Sequence, residues 1–183
     1  MTACHQLLDY LTTHTDTDIW YHAIDMILDF DTDASYLSEL GGKSRAADYY
    51  CMTDKGQKYF NNASIGLLST IIKHVMSSAS EAETGSFYYI CKRAILYIVT
   101  LQEMRHLQSE PTAVTTNKNT AHGLTMGTMT SKASKSNDMR FQWLKCRKAQ
   151  RMFAFLWAQG PKKCAYYPSK HHHCPYHLHV RQN

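Results

Sequence analysis

"ILDFDTDASY", residues 27–36, decides how the chain is read. Asp29, Asp31 and Asp33 alternate with Leu28 and Phe30. Side chains alternate faces along a strand, so the three carboxylates share one face while Met26, Leu28 and Phe30 share the other. Carboxylates stacked on one face repel each other unless something cationic lies between them. The stretch is therefore either one wall of a cation site or a frayed strand end in water. Its apolar half predicts a first strand over residues 23–33, with Asp33 at the end and Asp29 and Asp31 solvated.

Working outward, residues 5–11 read as a short helix followed by a polar loop. After the turn "ELGGKSR", the run "AADYYCM" predicts a second strand, and "DKG" at 54–56 a turn. "ASIGLLSTIIKHV" is apolar and β-branched, which predicts a third, well-buried strand or strand pair. From Ser80 the period changes: Phe87, Ile90, Cys91, Ala94, Ile95, Ile98 and Leu101 recur at helical spacing, to about His106. Glu81 and Glu83 would stand in the first turn, where the helix dipole favours them. "TAVTTN" predicts a fourth strand, "NTAHGL" a small helix and "GTMTSKASKSN" a linker. "DMRFQWLKCRKAQ" predicts a helix burying Met139, Trp143 and Cys146, and "MFAFLWA" a fifth strand ahead of a His-rich tail. The order implies a single mixed α/β domain.

Composition narrows the classes of function. The 183 residues are 44% hydrophobic, which suits a globular chain with a real core. No apolar run approaches the roughly 20 residues that span a bilayer, and the start does not read as a signal peptide, so no membrane partner is expected. Six scattered cysteines suggest reduced thiols and an intracellular location, cytoplasmic or nuclear. The net charge of +5 is unevenly distributed. Residues 1–110 carry 8 Lys/Arg against 14 Asp/Glu, whereas residues 111–183 carry 12 against the single acid Asp138. A half so basic, with Phe141, Trp143, Phe153 and Trp157 interleaved, is suited to phosphate backbones. The candidate contacts are Lys132, Lys135, Arg140, Lys145, Arg147, Lys148 and Arg151, with Lys162 and Lys163 beyond them.

Two constellations could hold metal. Asp33 at a strand end and Glu83 at a helix start could share a hard cation such as Mg²⁺. By spacing alone, the better explanation is that Glu83 complements the helix dipole and Asp33 caps a turn. In the tail, Cys164, His171, His172, His173, Cys174, His177 and His179 are zinc-competent types, but their spacing matches neither a finger nor a ribbon. No Gly-rich phosphate loop, GxSxG elbow or HExxH is present.

The chain resembles the ribonuclease H domain that ends the polyprotein of copia-type LTR retrotransposons. The resemblance rests on "DASYLSE" (33–39), "SRA" (44–46), "IIKHVMSSASEAE" (71–83), "NTAHG" (119–123), "SNDMRFQWL" (136–144) and "KHH" (170–172), in that order. It implies an RNase H-like fold, a five-stranded mixed sheet flanked by helices, over residues 21–170. Residues 1–20 would be a connection segment and 171–183 a His-rich basic tail. It also implies cleavage of the RNA strand of an RNA–DNA hybrid, with four acids holding two Mg²⁺ (or Mn²⁺) ions, beside a reverse transcriptase domain of the same polyprotein. Asp33 and Glu83 would be the first two acids.

Two departures from that pattern fall on the other two. Asn117 stands where the family has its third Asp, and Tyr166 where it has its fourth. An amide carbonyl is a much weaker Mg²⁺ ligand than a carboxylate, and a phenol is neutral at pH 7. Ala47 and Asp48 replace a pair of small glycines, which puts a charge in a central strand, and Lys163-Cys164 replaces a polar–apolar pair. The resemblance thus implies a degenerate element whose metal binding is weak or lost and whose nuclease is impaired or inactive. The rival from another class is a non-catalytic nucleic-acid-binding module that uses the basic half.

Overall fold

Two consecutive glycines make the first hairpin. Gly41 and Gly42 adopt φ of 72° and 68°, where a side chain would be strained. They join β1 (Ile27–Glu39) to β2 (Lys43–Thr53), and Glu39 pairs with Lys43 where the hairpin closes. The computed structural model describes residues 3–16, 18–55, 62–115, 117–126, 135–170, 172 and 176. Helix α1 (Ala3–Thr13) precedes the hairpin, and β3 (Ser64–Ile71) and α2 (Ala79–Glu103) follow it. Then come β4 (Thr112–Thr115), α3 (Lys118–Met126), α4 (Lys135–Ala149), β5 (Ala154–Trp157) and a single helical turn, α5 (Tyr166–Ser169).

The strands form one five-stranded sheet in the order β3-β2-β1-β4-β5. The β1–β2 and β2–β3 pairs are antiparallel, whereas β1–β4 and β4–β5 are parallel. Leu28, Phe30, Tyr50 and Met52 of the sheet meet Phe87, Ile90, Cys91, Ala94 and Ile98 of α2, with Phe141 and Leu144 of α4 closing the same core. Phe30 meets Phe153 edge-on at 5.6 Å between ring centroids, and Phe87 meets Phe155 at 5.2 Å. The start of α2 is capped by the Ser78 hydroxyl, which accepts from the Glu81 N–H at 3.1 Å.

Several sequence expectations are corrected. β1 extends to Glu39, so Asp33 lies in mid-strand, because pairing with β2 continues past it. β3 is an edge strand, not a well-buried one: it pairs with β2 alone, and Ile65, Leu67 and Ile71 remain exposed. β-branched composition suits a pleated strand whether or not a layer covers it. α2 begins at Ala79, so Glu81 is in the first turn and Glu83 lies past it. α4 buries Phe141 and Leu144 in place of Met139 and Cys146, which are exposed, while Trp143 is half-buried. Both sets have helical spacing, and the larger apolar pair meets α2. The expected linker falls at residues 127–134, outside the described residues, and its last residues belong to α4.

Candidate active site

The face of β1 that carries Asp29, Asp31 and Asp33 is covered by the chain's own C-terminal segment. Asp33 is 1% exposed. Its Oδ2 accepts from the Ser169 hydroxyl at 2.5 Å and lies 3.1 Å from the Lys170 ammonium. Asp31 accepts from two consecutive backbone N–H groups, Cys164 at 3.1 Å and Ala165 at 2.8 Å. Burial pushes its carboxyl up to about 6, while Lys163 and those two N–H groups pull the other way. Asp29 and Asp31 are therefore not solvated, as an isolated strand would suggest. Asp29 is buried, its Oδ1 has no hydrogen-bond partner, and burial pushes its carboxyl up to about 7.

Lys163 is the residue that local sequence does not reveal. Placed among the basic surface candidates, it is in fact 5% exposed. Its Nζ donates to the Thr32 carbonyl, and Asp31, Asp33 and Glu83 all attract its charge. Burial pulls the ammonium pKa below its ordinary value, against the pull of those three carboxylates. Nothing local separates it from the exposed Lys162 beside it; only the fold brings it to β1.

Glu83 is half-buried beside a small notch of about 250 Å³, lined with Ala79, Ser80, Asn117, Lys118 and Asn119. Asn117 uses both ends of its amide. Its Oδ1 accepts from the Thr120 N–H at 3.0 Å and caps α3, and its Nδ2 donates to the Ser80 hydroxyl at 3.0 Å. Tyr166 opens α5 half-buried, with the Lys170 ammonium 3.8 Å from its ring centre. Glu83 and Asn117 thus line one notch, whereas Asp33 engages residues 163–170, a strap over β1 that carries Tyr166. On the opposite face of the sheet, Asp48 is 3% exposed, 3.8 Å from Arg93, and pushed by burial up to about 7.

No family model matches this chain, and no curated protein does. Solved structures do match. LC11-RNase H1, isolated from compost by a metagenomic approach, aligns with a TM-score of 0.56 at 12% identity, over 78% of this chain and 91% of that one. The same protein in complex with RNA/DNA hybrid gives 0.54 at 13% identity, over 75% and 88%. The foamy viral protease-reverse transcriptase in complex with RNA/DNA hybrid gives 0.53 at 12% identity, over 84% of this chain and 20% of that one.

The fold is that of ribonuclease H. Within that RNase H-like frame, the residues present do not fit the pair of divalent ions that the resemblance implies. Oδ2 of Asp33 is engaged by a hydroxyl and an ammonium, the amide of Asn117 is spent on a cap and on Ser80, and Tyr166 offers a phenol. Among the described residues, no group of three or more His, Cys, Asp or Glu is arranged to hold a metal ion. Of the tail's zinc-competent residues, His171, His173, Cys174, His177 and His179 lie outside the described residues. Burial pushes the Cys164 thiol up to about 12, and His172 stacks on Tyr176 at 4.2 Å.

The basic residues of this RNase H-like domain divide between surface and structure. Lys132 lies outside the described residues, as does the side chain of Lys135. Arg140 packs over the Tyr89 ring at 5.9 Å, with a buried Nη1 that has no hydrogen-bond partner. Arg147 lies 5.0 Å over Trp143 and donates to Gln150 at 2.8 Å. The Lys148 ammonium donates to the Leu124 carbonyl at 3.0 Å, tying α4 to α3. Lys145 is half-buried, and Arg151 is exposed just past the end of α4. No helix among the described residues is long and apolar enough to cross a membrane.

Proposed function

We propose that this chain is the RNase H-like domain of a copia-type retroelement polyprotein, one that grips an RNA–DNA hybrid and does not cut it. The observation that carries this reading is the state of Asp33, whose carboxylate is buried under Ser169 and Lys170. Two-metal hydrolysis needs open carboxylates around a pair of cations about 4 Å apart, which activate water and balance charge on the phosphate. Each lost charge-stabilising group costs about 3 kcal/mol of barrier. Asn117 and Tyr166 remove two such groups, and the strap over Asp33 obstructs a third. Binding has different requirements, since backbone affinity needs only cations at the surface, and Lys145, Arg151 and Lys162 supply some of them.

Recognition would follow the shape of the hybrid and the 2′-hydroxyls of its RNA strand. Residues 1–20 would then connect the domain to a reverse transcriptase neighbour, and Leu7, Leu8 and Leu11 of α1 are exposed for such a contact. The second reading, a nucleic-acid module without preference for hybrid, rests on the charge of the second half alone. Titrating labelled hybrid and DNA duplex of equal length across a salt series separates the two. Tighter binding to hybrid, with affinity falling steeply as salt rises, supports the first reading. Equal binding supports the second, and undetectable binding removes both.

A further inference from the structure

The cation that faces the carboxylate row comes from the chain itself. A buried ammonium is costly unless it is hydrogen-bonded and its charge is offset, and Lys163 has a carbonyl acceptor and three carboxylates whose charge attracts it. Its Nζ donates to the Thr32 carbonyl of β1, and Asp31, Asp33 and Glu83 attract it from β1 and α2. The main chain arranges this pairing. Asp31 accepts from the N–H groups of Cys164 and Ala165, the two residues that follow the lysine. The far end of the same segment is fastened to Asp33 by Ser169 at 2.5 Å and Lys170 at 3.1 Å. A row of carboxylates that would repel one another is thus bridged by one eight-residue strap, with an ammonium near each end.

We infer that Lys163 is a built-in counter-cation. Its buried ammonium, held on the Thr32 carbonyl between the two aspartates of β1, offsets the charge of Asp31, Asp33 and Glu83, and it fastens residues 163–170 to β1 without metal. The segment is thereby part of the folded core and not a detachable tail. Nothing in this pairing depends on hybrid binding, so the two can fail separately.

The test compares thermal unfolding of the wild-type chain, Lys163→Met, Asp31→Asn and the double variant. Removing one partner of a buried pair strands the other, so Lys163→Met should lower Tm by on the order of 10 °C. In the Asp31→Asn background the same change should cost less than half as much, because less charge is left stranded. Equal costs in the two backgrounds, or a Lys163→Met chain as stable as wild type, would overturn the inference. If Lys163→Met does not fold, the wild-type chain still decides. Titrated with Mn²⁺ and followed by the EPR signal of the free ion, it should leave the metal in solution. One equivalent of Mn²⁺ bound, and lost on Asp33→Asn, would mean that the carboxylates are open to a dissociable cation and Lys163 does not fill their site.

Discussion

Asp29 carries a buried carboxyl oxygen that nothing satisfies, and this has a measurable consequence. Its pKa is pushed up to about 7 in the folded chain, against the usual value near 3.9 for an unfolded one. Between those values the folded state binds the extra proton, so this group's contribution is full below about pH 4 and is lost as pH rises through 7. Over that window the loss amounts to at most about 4 kcal/mol, and Asp48 acts in the same direction. Urea midpoints should therefore fall between pH 5 and pH 8 for the wild-type chain, and fall less for Asp29→Asn. Identical slopes would show that Asp29 is ionised and solvated after all. Asn117 makes a second residue-scale prediction. Asn117→Ala removes the cap of α3 and should cost about 1 kcal/mol in thermal unfolding, whereas Asn117→Asp keeps a good cap and should stay near wild type. The sequence exposed Asp33, Glu83, Asn117 and Tyr166 as candidates because family order places them. It could not expose Lys163 or Ser169, which are ordinary residues until the strap folds back onto β1.

At the scale of elements, β3 and α2 are fitted together through Gly66. A Cβ there would come within 2.6 Å of the Tyr97 hydroxyl and 3.3 Å of the Tyr50 ring. Tyr97 packs on Tyr50 at 4.7 Å between centroids, so it cannot retreat without opening that contact. Gly66→Ala should therefore destabilise by about 1–3 kcal/mol, seen as a lower Tm with the fold retained. An unchanged Tm would show that Tyr97 is free to swing away. The order of strands and helices was legible because period-2 and period-3.6 patterns hardly overlap in this chain. Which face of α4 is buried was not, because Met139, Trp143 and Cys146 share helical spacing with Phe141 and Leu144, and only the position of α2 decides between them. Nor was the edge position of β3, since an apolar, β-branched strand reads the same at an edge as at a centre.

At the scale of the molecule, an acidic half builds most of the sheet and a basic half supplies α4 and the strap. Part of the basic charge is spent inside: Lys163 and Lys148 each on a backbone carbonyl, and Arg147 on Trp143 and Gln150. The salt slope of hybrid binding should then be shallower than the count of basic residues suggests, since each phosphate contact contributes about 0.9 to it. Changing exposed Arg151 to Ala should weaken binding and reduce the slope by about one contact if it meets a phosphate, without lowering Tm. The central claim is a grip without a cut. Its most direct test incubates labelled RNA–DNA hybrid with the wild-type chain in Mg²⁺ and then in Mn²⁺, measuring bound and cleaved fractions together beside Asp33→Asn. The hybrid should be bound, uncut and indifferent to either metal. RNA cleavage that requires metal and disappears in Asp33→Asn would contradict that, and would mean that residues 163–170 open to admit divalent ions to the carboxylates.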